Sequence, residues 1–304
     1  MAVIGWIGLG NMGRPMTTHL LAAGHRVQGF DVSPDAVAAA ARHGVEPAGS
    51  VAEAVAGADL VVTMLPKGEH VLSVFTGPDG VLANAPAGAV LVDSSTIDVA
   101  TAGQLHQLAA EAGFGFVDAP VSGGISGAAA GTLSFMVGGD ADVVAGVVPL
   151  LEPMAGAVVP TGGPTTGQAA KIVNNMMCLV NLVGLAEGSQ LADRLGLDHQ
   201  VFQRIVTASS GDSWAARTWY PVPGVVPTAA ANNGFAAGFS AALANKDINL
   251  ALAAGETTGV PLRGAGVAAE LLGRAVADGL GDLDCTIVTR YANPDGELAG
   301  WKTA

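Results

Sequence analysis

The sequence predicts an α/β fold: a doubly wound parallel sheet in the first half, joined by one long helix to an all-α second half. Three observations predict it. Short β-rich runs alternate with amphipathic stretches through the first half, and the first run ends in a glycine turn. Beyond Gly162-Gly163-Pro164 the strand signals stop, and a stretch from about Thr166 to Arg194 can form a single helix. The spacing places a domain boundary near Gly163, giving an N-terminal domain over 1–163 and a C-terminal helical domain over 164–304.

Taken in order, Ala2–Ile7 reads as a strand, Met12–Ala23 as a helix and Arg26–Phe30 as the next strand. Ser33-Pro34 then starts a helix running to about His43, with proline where its missing N–H costs nothing. Leu60–Leu65 is an apolar strand ending at Pro66, and Val90–Asp93, Phe116–Asp118 and Thr132–Val137 are further strands. Near-continuous apolar runs of this kind suit strands buried on both faces. The long helix closes at Gly196, and the rest reads as mostly helical around a proline-rich loop at Tyr220–Pro227. A cleft between the two domains is the expected active site.

Composition narrows the function classes. The 304 residues carry 13 Lys+Arg against 26 Asp+Glu, a net charge of -13, which disfavours nucleic acid and anionic membrane surfaces. Cys178 and Cys285 stand far apart without metal or redox spacing. The apolar run around Met176–Ala186 is broken by Asn181 and is short for a membrane span. His19, His25, His43, His106 and His199 have no ligand partner at metal spacing, so no metal site is expected. A soluble, cytoplasmic protein follows as the expectation.

Gly8-Leu9-Gly10-Asn11-Met12-Gly13 fits the dinucleotide-binding pattern G-x-G-x-x-G, set between a strand and a helix. Such glycines allow a tight turn, backbone approach to a pyrophosphate and close helix–strand packing, while the helix N-terminus offers amides to the phosphates. Asp31, ending the second strand, can accept hydrogen bonds from the adenosine ribose and would repel a 2′-phosphate. A Rossmann-type domain binding NAD rather than NADP is the reading.

Two stretches add chemistry. DAPVSGG at Asp118–Gly124 puts the Ser122 hydroxyl beside the Gly123 and Gly124 amides, which can form an anion nest for a carboxylate. An ordinary glycine-rich loop reads the same way. GQAAKIVNN at Gly167–Asn175 puts Gly167, Lys171 and Asn175 on one helix face. Lys171 then suits either a general acid/base, with a pKa lowered by burial, or a surface lysine with a buried stem. The residues alone leave both pairs of readings open.

The stretches GWIGLGNMGRPM, VVTMLP, VDSST, DAPVSGG, FMVGG, GQAAKIVNN, PVPGVVPTAAANNGF and ALANKDINLAL run in order from residue 5 to about 252. In them the sequence resembles the β-hydroxyacid dehydrogenases. The resemblance implies that Lys171, Asn175 and Ser122 form the catalytic group. Lys171 exchanges a proton with the substrate oxygen, and Asn175 orients substrate and lysine. Ser122, Gly123 and Gly124 hold the substrate carboxylate. Gly8, Gly10, Asn11, Met12, Gly13 and Asp31 hold the cofactor, with Leu65, Pro66 and Thr96 near the nicotinamide. Lys246 closes the site from the second domain, supported by Asp247. The sequence departs from the family's common pattern at Trp219-Tyr220 and at His70.

The proline-rich loop is similar to that of the members acting on 3-hydroxyisobutyrate. The resemblance therefore implies NAD-dependent oxidation of 3-hydroxyisobutyrate to methylmalonate semialdehyde, a step of valine degradation. Alternatives within the family are reduction of tartronate semialdehyde or succinic semialdehyde. A catalytically silent NAD-binding sensor is the alternative of another class. The apolar second half suggests a homodimer or homotetramer.

Overall fold

The run VIGWI forms β1 (Val3–Ile7), and from Ile4 onward it is buried, as a central parallel strand must be. The computed structural model describes residues 1–298. It divides into two compact units, Met1–Lys171 and Ile172–Ala304. In the first unit β1 leads into α1 (Gly13–Ala22), β2 (Arg26–Phe30), α2 (Pro34–Ala41) and β3 (Glu46–Pro47). α3 (Val51–Val55), β4 (Leu60–Thr63), α4 (Gly68–Phe75), α5 (Val81–Asn84) and β5 (Val90–Asp93) follow. Then come α6 (Val99–Glu111), β6 (Gly115–Asp118), β7 (Val121–Ser122), α7 (Gly124–Ala130), β8 (Leu133–Gly139), α8 (Ala141–Leu151) and β9 (Ala155–Gly162).

The sheet order is β3-β2-β1-β4-β5-β6-β8-β7, with β9 paired to β8. From β3 to β6 all pairings are parallel. The chain reverses direction across the sheet between β1 and β4, which opens the crevice where nucleotides bind in such folds. Side chains alternate between two layers. Ile4, Trp6, Leu60 and Val62 pack with Met16 and Leu20 of α1 and Val144, Val147 and Leu151 of α8. Ile7, Val61 and Leu91 pack on the other side with Phe75 of α4 and Leu105 of α6. Each such side chain taken from water contributes about 1.5–3 kcal/mol.

Two features differ from the strands the sequence predicts. β8 runs antiparallel to β6 and β7, on the far side of β6 from the parallel strands. β9 was not foreseen: it is a largely exposed edge strand with Pro160 inside, and it lacks the apolar run that marks the inner strands.

The long helix, α9 (Thr166–Arg194), has the bounds the sequence predicts. Among the described residues it is the one helix apolar and long enough to cross a membrane by length and composition, so Asn181 does not break the run as expected. α10 (His199–Thr207), α11 (Trp214–Thr218), α12 (Ala241–Thr258) and α13 (Arg263–Ala277) complete the second unit. Asp198 and Ser240 cap α10 and α12 by accepting the Val201 and Leu243 N–H groups. Leu179, Leu182, Ile248, Leu272, Ile287 and Val288 form this unit's main core.

Candidate active site

The parallel register lines up Ile7, Phe30, Thr63, Asp93 and Asp118 at the carboxyl ends of five strands. The first of these ends runs into the glycine turn. Gly8 has φ +101, and a Cβ there would strike the Met64 carbonyl oxygen; one on Gly13 would strike the Gly8 carbonyl oxygen. Both positions therefore require glycine. Trp6, fully buried, donates its indole N–H to the Gly8 carbonyl at 2.8 Å and stiffens the turn from below.

Gly10 is different. A Cβ there would meet nothing within 4 Å, so this residue guards open space above the turn rather than a packed contact. Beside it, the N-terminus of α1 at Met12 carries no side-chain cap and no acidic residue in its first turn. An open backbone surface next to uncapped helix amides fits a pyrophosphate. Asp31 Oδ2 accepts the Leu9 N–H and its Oδ1 the Ser33 N–H, both at 2.8 Å.

The neighbouring loops are hydrogen-bonded to one another. Leu65, half-buried, donates its N–H to Ser95 Oγ at 2.8 Å, and the Ser95 hydroxyl donates to Asp93 Oδ1 at 2.6 Å. Thr63 Oγ1 donates to the same carboxylate oxygen at 2.7 Å. Asp93 is completely buried, and among the described residues Oδ2 has no hydrogen-bond partner. Burial raises its pKa to about 6, against the lowering effect of the Ser95 and Thr63 hydrogen bonds and with a further push from Asp118. Thr96 is half-buried in the next loop, while Pro66 and His70 are exposed.

Asp118 anchors the start of α9. Its Oδ2 accepts the Gln168 N–H at 2.7 Å, and its Oδ1 accepts the Thr165 N–H at 3.0 Å and meets His106 Nε2 at 2.8 Å. A Cβ on Gly167 would collide with the Asp118 and Met136 carbonyl oxygens, so this glycine lets the helix start press against the sheet edge. Lys171, one turn beyond Gln168, is buried at 7% exposure. Ser122 ends β7, half-buried, with Gly123 and Gly124 exposed after it at φ +130 and +63. Successive backbone amides in such conformations can converge on an anion.

Asn175 lies one further turn along α9 and is also buried. Its Nδ2 donates to Asp247 Oδ2 at 2.6 Å, and its Oδ1 accepts from Asn174 at 3.1 Å. Lys246 Nζ lies 3.1 Å from Asp247 Oδ1. Asp247 thus links the two second-unit residues singled out in the sequence, Asn175 and Lys246. Trp214 is 54% exposed and meets Trp219 edge-on, with ring centroids 4.8 Å apart. Tyr220 is fully buried and hydrogen-bonded to His199, so this departure from the family pattern is structural. Asp93, Asp118 and Gln168 escaped sequence reasoning.

Residues 3–163 match the family described as the NAD-binding domain of 6-phosphogluconate dehydrogenase. Residues 165–292 match the one described as NAD-binding of NADP-dependent 3-hydroxyisobutyrate dehydrogenase. The chain belongs to the β-hydroxyacid dehydrogenase family. A probable 3-hydroxyisobutyrate dehydrogenase of Mycobacterium tuberculosis is 48% identical over 288 residues, 95% of this chain and 97% of that protein. An NAD-dependent L-serine dehydrogenase of Pseudomonas aeruginosa is 38% identical across 97% of this chain and 99% of its own length. The solved structure of the Mycobacterium tuberculosis 3-hydroxyisobutyrate dehydrogenase with L-serine matches with a TM-score of 0.89 at 47% identity. It covers 96% of this chain and 99% of that one. This β-hydroxyacid dehydrogenase is an oxidoreductase whose cofactor is NAD.

Proposed function

We propose that the enzyme oxidises 3-hydroxyisobutyrate to methylmalonate semialdehyde, in valine degradation, with NAD preferred over NADP. The observation that carries the reading is Lys171, buried one turn from Asn175 on a helix whose start is hydrogen-bonded to Asp118 at a carboxyl end of the sheet. Gly8, Gly10, Asn11, Met12 and Gly13 would hold the pyrophosphate and Asp31 the ribose, with Leu65, Pro66, Thr96 and Lys246 as further cofactor contacts. When bound, the cofactor supplies a hydride acceptor. Ser122 and the Gly123 and Gly124 amides receive the substrate carboxylate. Lys171 takes the hydroxyl proton as the carbinol carbon gives up its hydride, and Asn175 keeps the oxygen in line.

A second reading has a specific observation behind it. L-serine is also a 3-hydroxy acid with a terminal carbinol, and one relative is named for its oxidation. Initial rates with both cofactors on 3-hydroxyisobutyrate, L-serine, glycerate and 4-hydroxybutyrate decide. The highest kcat/KM with 3-hydroxyisobutyrate and NAD supports the reading, and a preference for L-serine replaces it with the second. NADH formation with none of them would leave an NAD-binding sensor. A soluble homodimer or homotetramer is part of the proposal, supported by Val173, Met177 and Leu191 exposed along α9 and Leu195 exposed just beyond it. Light scattering on the eluting protein tests it.

A further inference from the structure

Gln168 is fully buried, and its side chain is spent on one short stretch of backbone. Its Nε2 donates to the Ser95 carbonyl at 2.7 Å, and its Oε1 accepts the Ile97 N–H at 3.2 Å. Those two groups flank Thr96. The amide orientation is determined by its partners, since a flipped amide would set donor against donor and acceptor against acceptor. The backbone of Gln168 is held independently, by Asp118 Oδ2 on its N–H. Lys171 follows three residues later, on the same side of the helix.

We propose that Gln168 is a positioning residue that clamps the Thr96 loop to the helix turn carrying Lys171. The proposal rests on the reading of Thr96 as a nicotinamide-side contact and of Lys171 as the proton acceptor. Hydride and proton leave neighbouring atoms of the substrate, so the two groups that receive them need a fixed separation. Gln168 supplies it with one side chain. A smaller or apolar residue leaves the Ser95 carbonyl and Ile97 N–H without that bridge and lets the loop and the helix move separately.

The test uses Gln168→Leu and Gln168→Glu in the full chain. Gln168→Leu is expected to bind NADH within about threefold of wild type while kcat falls about 10²-fold, the signature of misplaced reacting groups. Hydrogen exchange of the Ile97 amide should lose protection in the same variant. Gln168→Glu keeps the shape, but only its protonated form can donate to the Ser95 carbonyl. The groups around it are Asp93 on β5, Asp118 on β6, His106 and Asp98 at α6, and Lys171 on its own helix. Burial and the three carboxylates oppose its ionisation, and Lys171 favours it when protonated. Its kcat relative to wild type should therefore be highest at low pH and fall as pH rises, through an ionisation the wild type lacks.

Wild-type kcat and pH profile in both variants would overturn the clamp, and so would unchanged protection at Ile97. Parallel loss of NADH binding, cooperative melting and kcat in Gln168→Leu, with a flat relative profile in Gln168→Glu, would assign Gln168 a purely structural role. If Gln168→Leu does not fold, the Gln168→Glu profile decides alone. A wild-type enzyme inert towards every hydroxy acid would overturn the proposed function instead, and exchange at Ile97 would still decide the clamp.

Discussion

Asp31 and Leu9 are joined by a hydrogen bond of 2.8 Å from the Leu9 N–H to Asp31 Oδ2. The carboxylate proposed to select NAD therefore also braces the glycine turn from the end of β2. Asp31→Ser removes both effects: the shorter hydroxyl cannot span to Leu9, and the charge that repels a 2′-phosphate is gone. We expect kcat/KM with NAD to fall and the NAD:NADP ratio of kcat/KM to drop roughly tenfold, the equivalent of about 1.4 kcal/mol. Initial rates with both cofactors measure it. A lower NAD efficiency at an unchanged ratio would leave Asp31 as a brace alone.

Lys171→Ala should lower kcat by about 10²–10⁴-fold, the usual worth of a positioned general acid/base. NADH affinity should hold, because the residues proposed to grip the pyrophosphate and ribose lie on other elements. Fluorescence titration of NADH and single-turnover rates separate the two. Near-normal turnover would return Lys171 to the reading of a long side chain with a buried stem.

Asp93 gives a prediction in pH. Its pKa in the fold, about 6, lies above the ordinary 3.8, so the folded protein holds a proton that the unfolded chain has released. The stability this contributes is complete below about pH 4 and is lost as pH rises through about 6. The change amounts to about 3 kcal/mol as an order of magnitude. Asp93→Asn can still accept from Ser95 and Thr63 but cannot ionise. Its melting temperature should vary less between about pH 4.5 and 7.5 than that of wild type. An equal slope in both proteins would assign the pH dependence to other groups.

What could be read from the sequence followed local rules. Val90–Asp93 has the predicted bounds because β-branched and apolar residues at a strand buried on both faces leave little else to choose, and Arg26–Phe30 has them although only Val27 and Gly29 are buried. Ser33-Pro34 declares its helix start through chemistry confined to four residues: Ser33 Oγ accepts the Ala36 N–H. Gln168 shows the opposite case. In GQAAK a glutamine beside two alanines looks like any polar helix residue, and its burial comes from a loop more than seventy residues earlier in the chain. In the sequence Asp118 marks a strand end and the start of DAPVSGG, whereas in the structure its carboxylate is occupied by the N-terminus of α9. Pairings made across such separations leave no periodicity behind, which is also why the Asn175–Asp247 bond is not legible in the sequence.

The glycine turn allows a sharp comparison between two substitutions of the same size. At Gly13 an added methyl would meet the Gly8 carbonyl and come within 2.8 Å of Trp6 Nε1, inside a turn that cannot yield without unseating the indole. Gly13→Ala should therefore destabilise the protein by about 1–3 kcal/mol, the cost of overpacking a closed site. At Gly10 the same methyl meets nothing within 4 Å, and the backbone there has no positive φ. Gly10→Ala should melt at or slightly above the wild-type temperature, since alanine restricts the unfolded chain more than glycine does. Its defect should appear only in the complex, as a weaker NADH dissociation constant, because the methyl occupies the space where the pyrophosphate approaches the backbone. Calorimetry and NADH titration on the two variants read these effects separately. Unchanged NADH affinity in Gly10→Ala would mean that the phosphates do not pass over Gly10, whatever the turn's pattern suggests.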